Sequence, residues 1–285
     1  MKSSGLVMGT LAAVCAAAIL FGGCSGSNNS NKENTSTSSA GTDNSATVQV
    51  SETAAQTTKS EKIDTSGFAY EDGYMVYRVN GQPASVTGID VSSFCGDIDW
   101  QRVKNAGITF VMVRLGGRGY GDEGQLYSDD RAVEYISGAQ AAGINTGGYF
   151  FSQATNADEA REEARYCQEL LGDLRLDYPL AYDLEFIEND TARTDGMTVE
   201  QTTDCARAFC DEAKALGYEP MLYFSETSEP SAKYDLDKLS YCELWFSEYS
   251  DAPSFPHTFG MWQYSNTATV DGVENNVDLD LRIIK

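Results

Sequence analysis

Past residue 86 the chain alternates short apolar runs, rich in β-branched and aromatic residues, with longer segments whose apolar positions recur every three or four residues. The runs at 87–91, 109–114, 146–151, 180–186, 219–224, 243–248, 258–264 and 276–283 have the length and residue types of buried strands. The segments at 100–106, 129–142, 157–171 and 199–216 read as amphipathic helices. Gly107, Gly143, Gly172 and Gly217 follow them, where a helix end favours a residue that tolerates positive φ. Strand, helix, glycine, strand, repeated four times, is the order of βα units with a parallel sheet. Among the later runs only 235–240 looks helical. About eight strands in roughly two hundred residues predict an irregular β/α barrel, TIM-like, with fewer helices in its second half. A doubly wound open sheet is the weaker alternative on pattern alone.

The first 85 residues follow other rules. Residues 1–23 carry one positive charge at Lys2, then an apolar stretch at 11–21, then small residues before Cys24. That is the layout of a secretory signal peptide, because the apolar stretch is too short to span a bilayer as a helix. LFGGC at 20–24 resembles a bacterial lipobox, which implies that Cys24 is lipidated and becomes the new N-terminus. A diacylated cysteine supplies two chains, enough for stable anchoring to the outer face of the cytoplasmic membrane. The rest of 24–63 is dominated by Ser, Thr, Asn and Ala and has too few large apolar residues to offset the entropy of ordering. It reads as a disordered tether spanning about 35 Å. At 64–85, aromatic and polar residues alternate around Asp72-Gly73 and Asn80-Gly81, which signals a short β-ribbon leading into a folded domain at 86–285.

The net charge of −23 lies almost wholly past Val86, so nucleic acid and anionic membrane surfaces are poor partners. Most of those acids suit a solvated surface. Of seven cysteines, Cys15 lies in the leader and Cys24 is the anchor candidate, leaving Cys95, Cys167, Cys205, Cys210 and Cys242. One or two disulfides or simple packing both fit these five, and the pairing is not readable. With His257 the single histidine and no CxxC pair, neither a zinc site nor a Ser-His or Cys-His nucleophile pair is easily built, and no cofactor or metal ion is expected.

A few carboxylates stand where a solvated surface would not put them. In LAYDLEF at 180–186, Asp183 and Glu185 interrupt an apolar strand, and alternation sets them on one face, ~6.6 Å apart at ~3.3 Å per residue. Two acids so close in an apolar setting cannot both ionise cheaply, so one is expected to stay protonated and serve as a general acid. Asp90, ending the first strand, and Asp278, in the last, become neighbours if the barrel closes. Four carboxylates at one mouth suit glycoside hydrolysis or a divalent-metal site. Tyr149, Tyr182, Tyr223, Trp245, Trp262, Gln263 and Tyr264 lie at or near strand ends, where rings stack on sugars and amides bond hydroxyls.

These stretches resemble the glycoside hydrolase family 25 lysozymes across 88–281: GIDVSSFCGDIDW at 88–100, VMVRLGGRGYG at 111–121, GGYFFSQA at 147–154, AYDLEF at 181–186, MLYFSE at 221–226, LWFSEYS at 244–250, FGMWQYS at 259–265 and NVDL at 276–279. The resemblance implies hydrolysis of the β-1,4 bond between N-acetylmuramic acid and N-acetylglucosamine in peptidoglycan glycan strands. It implies Glu185 as general acid, Asp183 as its partner at the substrate acetamido group, and Asp90 and Asp278 as further carboxylates. Arg114, in the second block, joins the aromatic residues as an expected substrate contact. Cys95 stands where many members have Gln, and Asp280 where Asn is common. Two other readings fit less well: a non-catalytic peptidoglycan-binding lipoprotein on the same fold, and a chitinase-like hydrolase.

Overall fold

The computed structural model describes residues 63–185, 187, 190–225 and 230–284; the expected signal peptide, Cys24 and nearly all of the tether lie outside them. The described chain opens with a three-stranded antiparallel ribbon, β1 (Phe68–Glu71), β2 (Tyr74–Val79) and β3 (Gln82–Pro83). Its turns at Asp72-Gly73 and Asn80-Gly81 have positive φ at both central residues, the backbone twist that a two-residue hairpin needs.

Eight strands then close into a barrel. In chain order they are β4 (Ser85–Val91), β5 (Phe110–Arg118), β7 (Asn145–Phe151), β8 (Leu180–Asp183), β9 (Pro220–Phe224), β10 (Glu243–Ser247), β11 (Met261–Ala268) and β12 (Val277–Ile283). A short strand that the pattern does not reveal, β6 (Leu126–Ser128), pairs with the far end of β5 outside the ring. Helices α1 (Trp100–Asn105), α2 (Ala132–Ala141), α3 (Ala157–Leu171) and α4 (Val199–Ala215) carry the chain between the early strands, and α5 (Pro230–Lys233) adds one turn after β9. Each α1 to α4 ends before a glycine at positive φ: Gly107, Gly143, Gly172 and Gly217. Asn156 caps α3 by accepting from two backbone N–H groups, and Thr198 with Gln201 forms a capping box on α4.

Within the ring, which leaves out the antiparallel β6, the pairings from β4 through β11 are parallel, and β12 is antiparallel to both β11 and β4. The link from Ala268 to Val277 is shorter than the roughly a dozen residues that a parallel crossover needs, so the last strand must turn back. This accounts for the helix-poor second half. The ribbon occupies part of that face: Phe68 packs edge-on against Trp262 at 5.4 Å, and the Met75 backbone N–H donates to the Tyr264 hydroxyl.

Strand parity sorts the side chains into two layers. Phe110, Met112, Ala181, Met221, Tyr223, Trp245 and Met261 form a cluster of their own. Tyr149 on β7 meets Trp245 on β10 at 5.8 Å although those strands are not neighbours, which puts both rings inside the barrel. The opposite parity, including Ile89, Val111, Phe150, Tyr182, Leu222, Phe246 and Trp262, packs outward in the larger core. Gly88 lets the Phe110 ring lie against the β4 backbone, since a Cβ there would meet ring carbons at 2.3 Å. The barrel base is plugged by an ion pair between Arg282 and Glu243, with the guanidinium 4.5 Å above the Tyr178 ring.

Met75, on the ribbon, is 1 % exposed and sits in the same core as the barrel strands. Met75→Ala is therefore expected to destabilise the protein by about 2–5 kcal/mol, read from urea denaturation; a loss under about 0.5 kcal/mol, the range of surface substitutions, would mean that the ribbon contributes nothing to the fold.

Candidate active site

The C-terminal ends of the parallel strands converge on one mouth, and β12, running the other way, brings its beginning there. Asp278 is thus placed directly opposite Asp90 in the β12–β4 register. Gln263 on β11 ties the two together: its Nε2 donates to Asp90 Oδ2 at 2.7 Å and to Asp278 Oδ2 at 3.4 Å. Its Oε1 accepts from the hydroxyls of Tyr223, at 3.2 Å, and Tyr249, at 2.9 Å. With both ends of the amide engaged, its orientation is set, and so are the carboxylates that it holds.

Asp183 ends β8 and is buried, while Glu185 lies past the strand end and is half-buried. The two are therefore one strand residue and one loop residue, not two positions on a single strand face, because β8 stops pairing after Asp183. The freed backbone is held by other donors. The Ser152 N–H donates to the Asp183 carbonyl at 2.7 Å, Lys233 Nζ to the Leu184 carbonyl, and Gln153 Nε2 to the Glu185 carbonyl at 3.1 Å. Gln153 is itself fixed by the Thr194 hydroxyl at 2.8 Å. Behind them Glu163, fully buried, accepts from Arg118 at 2.8 Å and from Ser152 Oγ at 2.6 Å, joining α3 to β5 and β7.

Burial dominates the electrostatics. It holds Asp90 and Asp183 well above the usual carboxylate range, reinforced by Asp280 for Asp90 and by the Glu185 charge for Asp183. Glu185 is raised by burial, and the buried Lys233 ammonium opposes that rise. Asp278 is pushed up to about 9 by burial and by the Asp90 charge. A carboxyl that keeps its proton near neutrality can act as a proton donor.

The expected sugar contacts divide by parity. Tyr149, Tyr223 and Gln263 lie inside the barrel at the mouth, and Trp245 lies inside but beneath, 1 % exposed. Tyr182, Trp262 and Tyr264, also expected at the substrate surface, instead sit in the outer core, since each is one residue out of phase with an inward neighbour. Trp262 donates to the Glu248 carbonyl and Tyr182 packs on Phe209 of α4. Arg114 is at the mouth but bound to Asp129 by two hydrogen bonds, at 2.7 and 2.9 Å, with its guanidinium over the Phe94 ring. Asp129 also accepts from Ser93, which is why α2 begins only at Ala132. Gln153, Lys233 and Asp129 belong to the site without having been singled out for it, with only the SQ that follows the aromatic strand in GGYFFSQA as a hint, and Asp280 had stood out only as a departure from the family pattern. Among the described residues, Cys95, Cys167, Cys205, Cys210 and Cys242 are buried free thiols.

Comparison with known proteins agrees with this architecture. The family model for glycosyl hydrolases family 25 matches residues 89–273. The autolytic lysozyme of Clostridium acetobutylicum is 27% identical over 198 residues, covering 68% of this chain and 54% of the relative. Lysozyme M1 of Streptomyces globisporus is 28% identical over 205 residues, covering 68% of this chain and 67% of the relative. The chain thus spans about half the length of the first of these relatives and two thirds of the second. A family 25 glycosyl hydrolase structure from Bacillus anthracis superposes with a TM-score of 0.59 at 20% identity, covering 73% of this chain and 92% of the other, and so shares the fold. With the matched segment running from β4 to the turn before β12, the chain belongs to glycosyl hydrolase family 25.

Proposed function

We propose that this protein is a lysozyme: it hydrolyses the β-1,4 bond between N-acetylmuramic acid and N-acetylglucosamine in peptidoglycan. The observation that carries this is the meeting of Asp183 and Glu185 with the Gln263-bound pair Asp90 and Asp278 at one mouth. Glu185, half-buried at the mouth, donates its proton to the glycosidic oxygen as the bond to the sugar carbon breaks. Asp183, immobile and buried, orients the acetamido group beside that carbon. Asp90 and Asp278, themselves held above the usual carboxylate range chiefly by burial, face Glu185 across the mouth. Tyr149 and Tyr223 line the space between them. Membership of the family and the lysozyme relatives support the same chemistry.

The location follows from the substrate and from the N-terminal sequence. Export, lipidation of Cys24 and a tether over 24–63 would hold a domain spanning 86–285 at the outer face of the membrane, within reach of the wall.

Glu185→Gln keeps shape and hydrogen bonding but removes the transferable proton. Wall cleavage by the folded variant is expected to fall ~10²–10⁴-fold while binding to sedimented peptidoglycan persists. Asp183→Asn is expected to lower turnover and to move the pH profile, since it removes a buried carboxyl that interacts with the Glu185 charge. Wild-type turnover by folded Glu185→Gln protein removes the catalytic assignment, and mass spectrometry of the reducing ends identifies the bond cut.

Cys24→Ser is expected to shift the protein from the membrane fraction to the medium. Unchanged fractionation means that the cysteine is not the anchor.

A further inference from the structure

We propose that Arg114 binds the lactyl group of the muramic sugar as a free carboxylate, so that the mouth prefers glycan strands from which the stem peptides have been removed. This rests on the proposed hydrolysis, with Asp183 at the acetamido group. Arg114 lies two residues past Met112 on β5, on the inward parity, and in register with Tyr149 on β7. Its Nε and Nη2 both donate to Asp129 Oδ2, at 2.9 and 2.7 Å, and its guanidinium stands 5.0 Å from the centroid of the half-exposed Phe94 ring. Asp129 is itself held in place, because it also accepts from the backbone N–H groups of Ser93 and Arg131 and from the Ser93 hydroxyl. One edge of the guanidinium is thus committed. The remaining nitrogen, Nη1, has no partner among the described residues, and the side chain keeps 18 % of its surface exposed. A guanidinium clamped on one edge and backed by an aromatic ring has already lost its rotational freedom, so its open N–H groups bind an anion at little further ordering cost.

The chemistry of the substrate selects the anion. The two sugars of the strand differ in the lactyl ether on C3 of muramic acid, and C3 is bonded to C2, which carries the acetamido group. A muramic sugar with its acetamido group beside Asp183 therefore holds its lactyl group next to that place. Lys233 and Arg114 are the cations that lower Asp183; the first is buried and donates to the Leu184 carbonyl, while the second keeps exposed surface. With a stem peptide attached, the lactyl group ends in an amide and offers Arg114 a neutral oxygen. Without the peptide it is a carboxylate, whose charge-assisted hydrogen bonds to a guanidinium are roughly twice as strong. Burial raises Asp90, Asp183 and Asp278, so near neutrality the mouth opposes a substrate anion less than its number of acids suggests.

The test gives the full chain denuded glycan strands, the same strands with their lactyl carboxylates converted to methylamides, and strands that keep their stem peptides. Wild-type kcat/KM is expected to be about tenfold higher on the carboxylate strands than on the methylamides, and Arg114→Met to bring that ratio to one or below. Peptide-bearing strands, whose carboxylates lie on the peptide instead, are expected to behave as the methylamides do. Equal wild-type values on carboxylate and methylamide strands, a ratio that survives in Arg114→Met, or a preference for peptide-bearing over denuded strands overturns the proposal. Binding separates it from the proposed hydrolysis. If the wild type cleaves none of the three preparations, that reading fails, and the same ratios taken from Kd still decide this one. Arg114→Met leaves the buried Asp129 without its cation; if the variant does not fold, Arg114→Met combined with Asp129→Asn removes the unpaired charge and is expected to lose the preference, and a tenfold preference retained there overturns the proposal.

Discussion

The acidic mouth depends on the way the barrel closes. A crossover helix after β11 would have made β12 parallel and carried Asp278 to the opposite end from the C-terminal ends of β4 and β8. The short link after β11 turns the strand back instead, and antiparallel pairing sets Asp278 against Asp90 at the same rim. From that pairing comes the position of Gln263, whose amide reaches both carboxylates from the adjacent strand, and the tyrosine hydroxyls that fix the amide in turn. Register sets the chemistry here, because a shift of one residue would turn Asp278 and Asp280 out of the barrel.

Concentrating carboxyls in a buried mouth costs free energy unless protons or cations offset the charge. Several devices share that task. Lys233 is almost wholly buried and donates to the carbonyl between Asp183 and Glu185. Arg114 lowers Asp183 from β5, while its own geometry is set by Asp129. The remaining excess is met by raised proton affinities, which is also the property that general-acid chemistry requires. Stability and the proposed activity thus pull in the same direction only over a limited pH range.

The region matched to the family begins inside β4, after the ribbon. The ribbon seats Met75 and Tyr77 in the core and packs against β4 and β12.

The order of strands, the helices with their terminal glycines, the ribbon turns and the importance of the DLE segment were all legible in the sequence, because each is written in local periodicity or in the φ that a residue tolerates. The four carboxylates were legible as acids ending or interrupting apolar strands, and the family resemblance attached expected roles to them. The inward or outward aim of Tyr182, Trp262 and Tyr264 was not legible: in WQY every residue is aromatic or amide, so neither polarity nor size marks the inward phase, and only the closed barrel distinguishes Gln263 from its neighbours. Nor could the end of β8 be read, since LAYDLEF continues to alternate after pairing has stopped at Asp183. Gln153, Lys233, Asp129 and Asp280 come from four separate elements, and their partners lie far away in the chain. Long-range proximity created their roles, and it exists only once the barrel has closed.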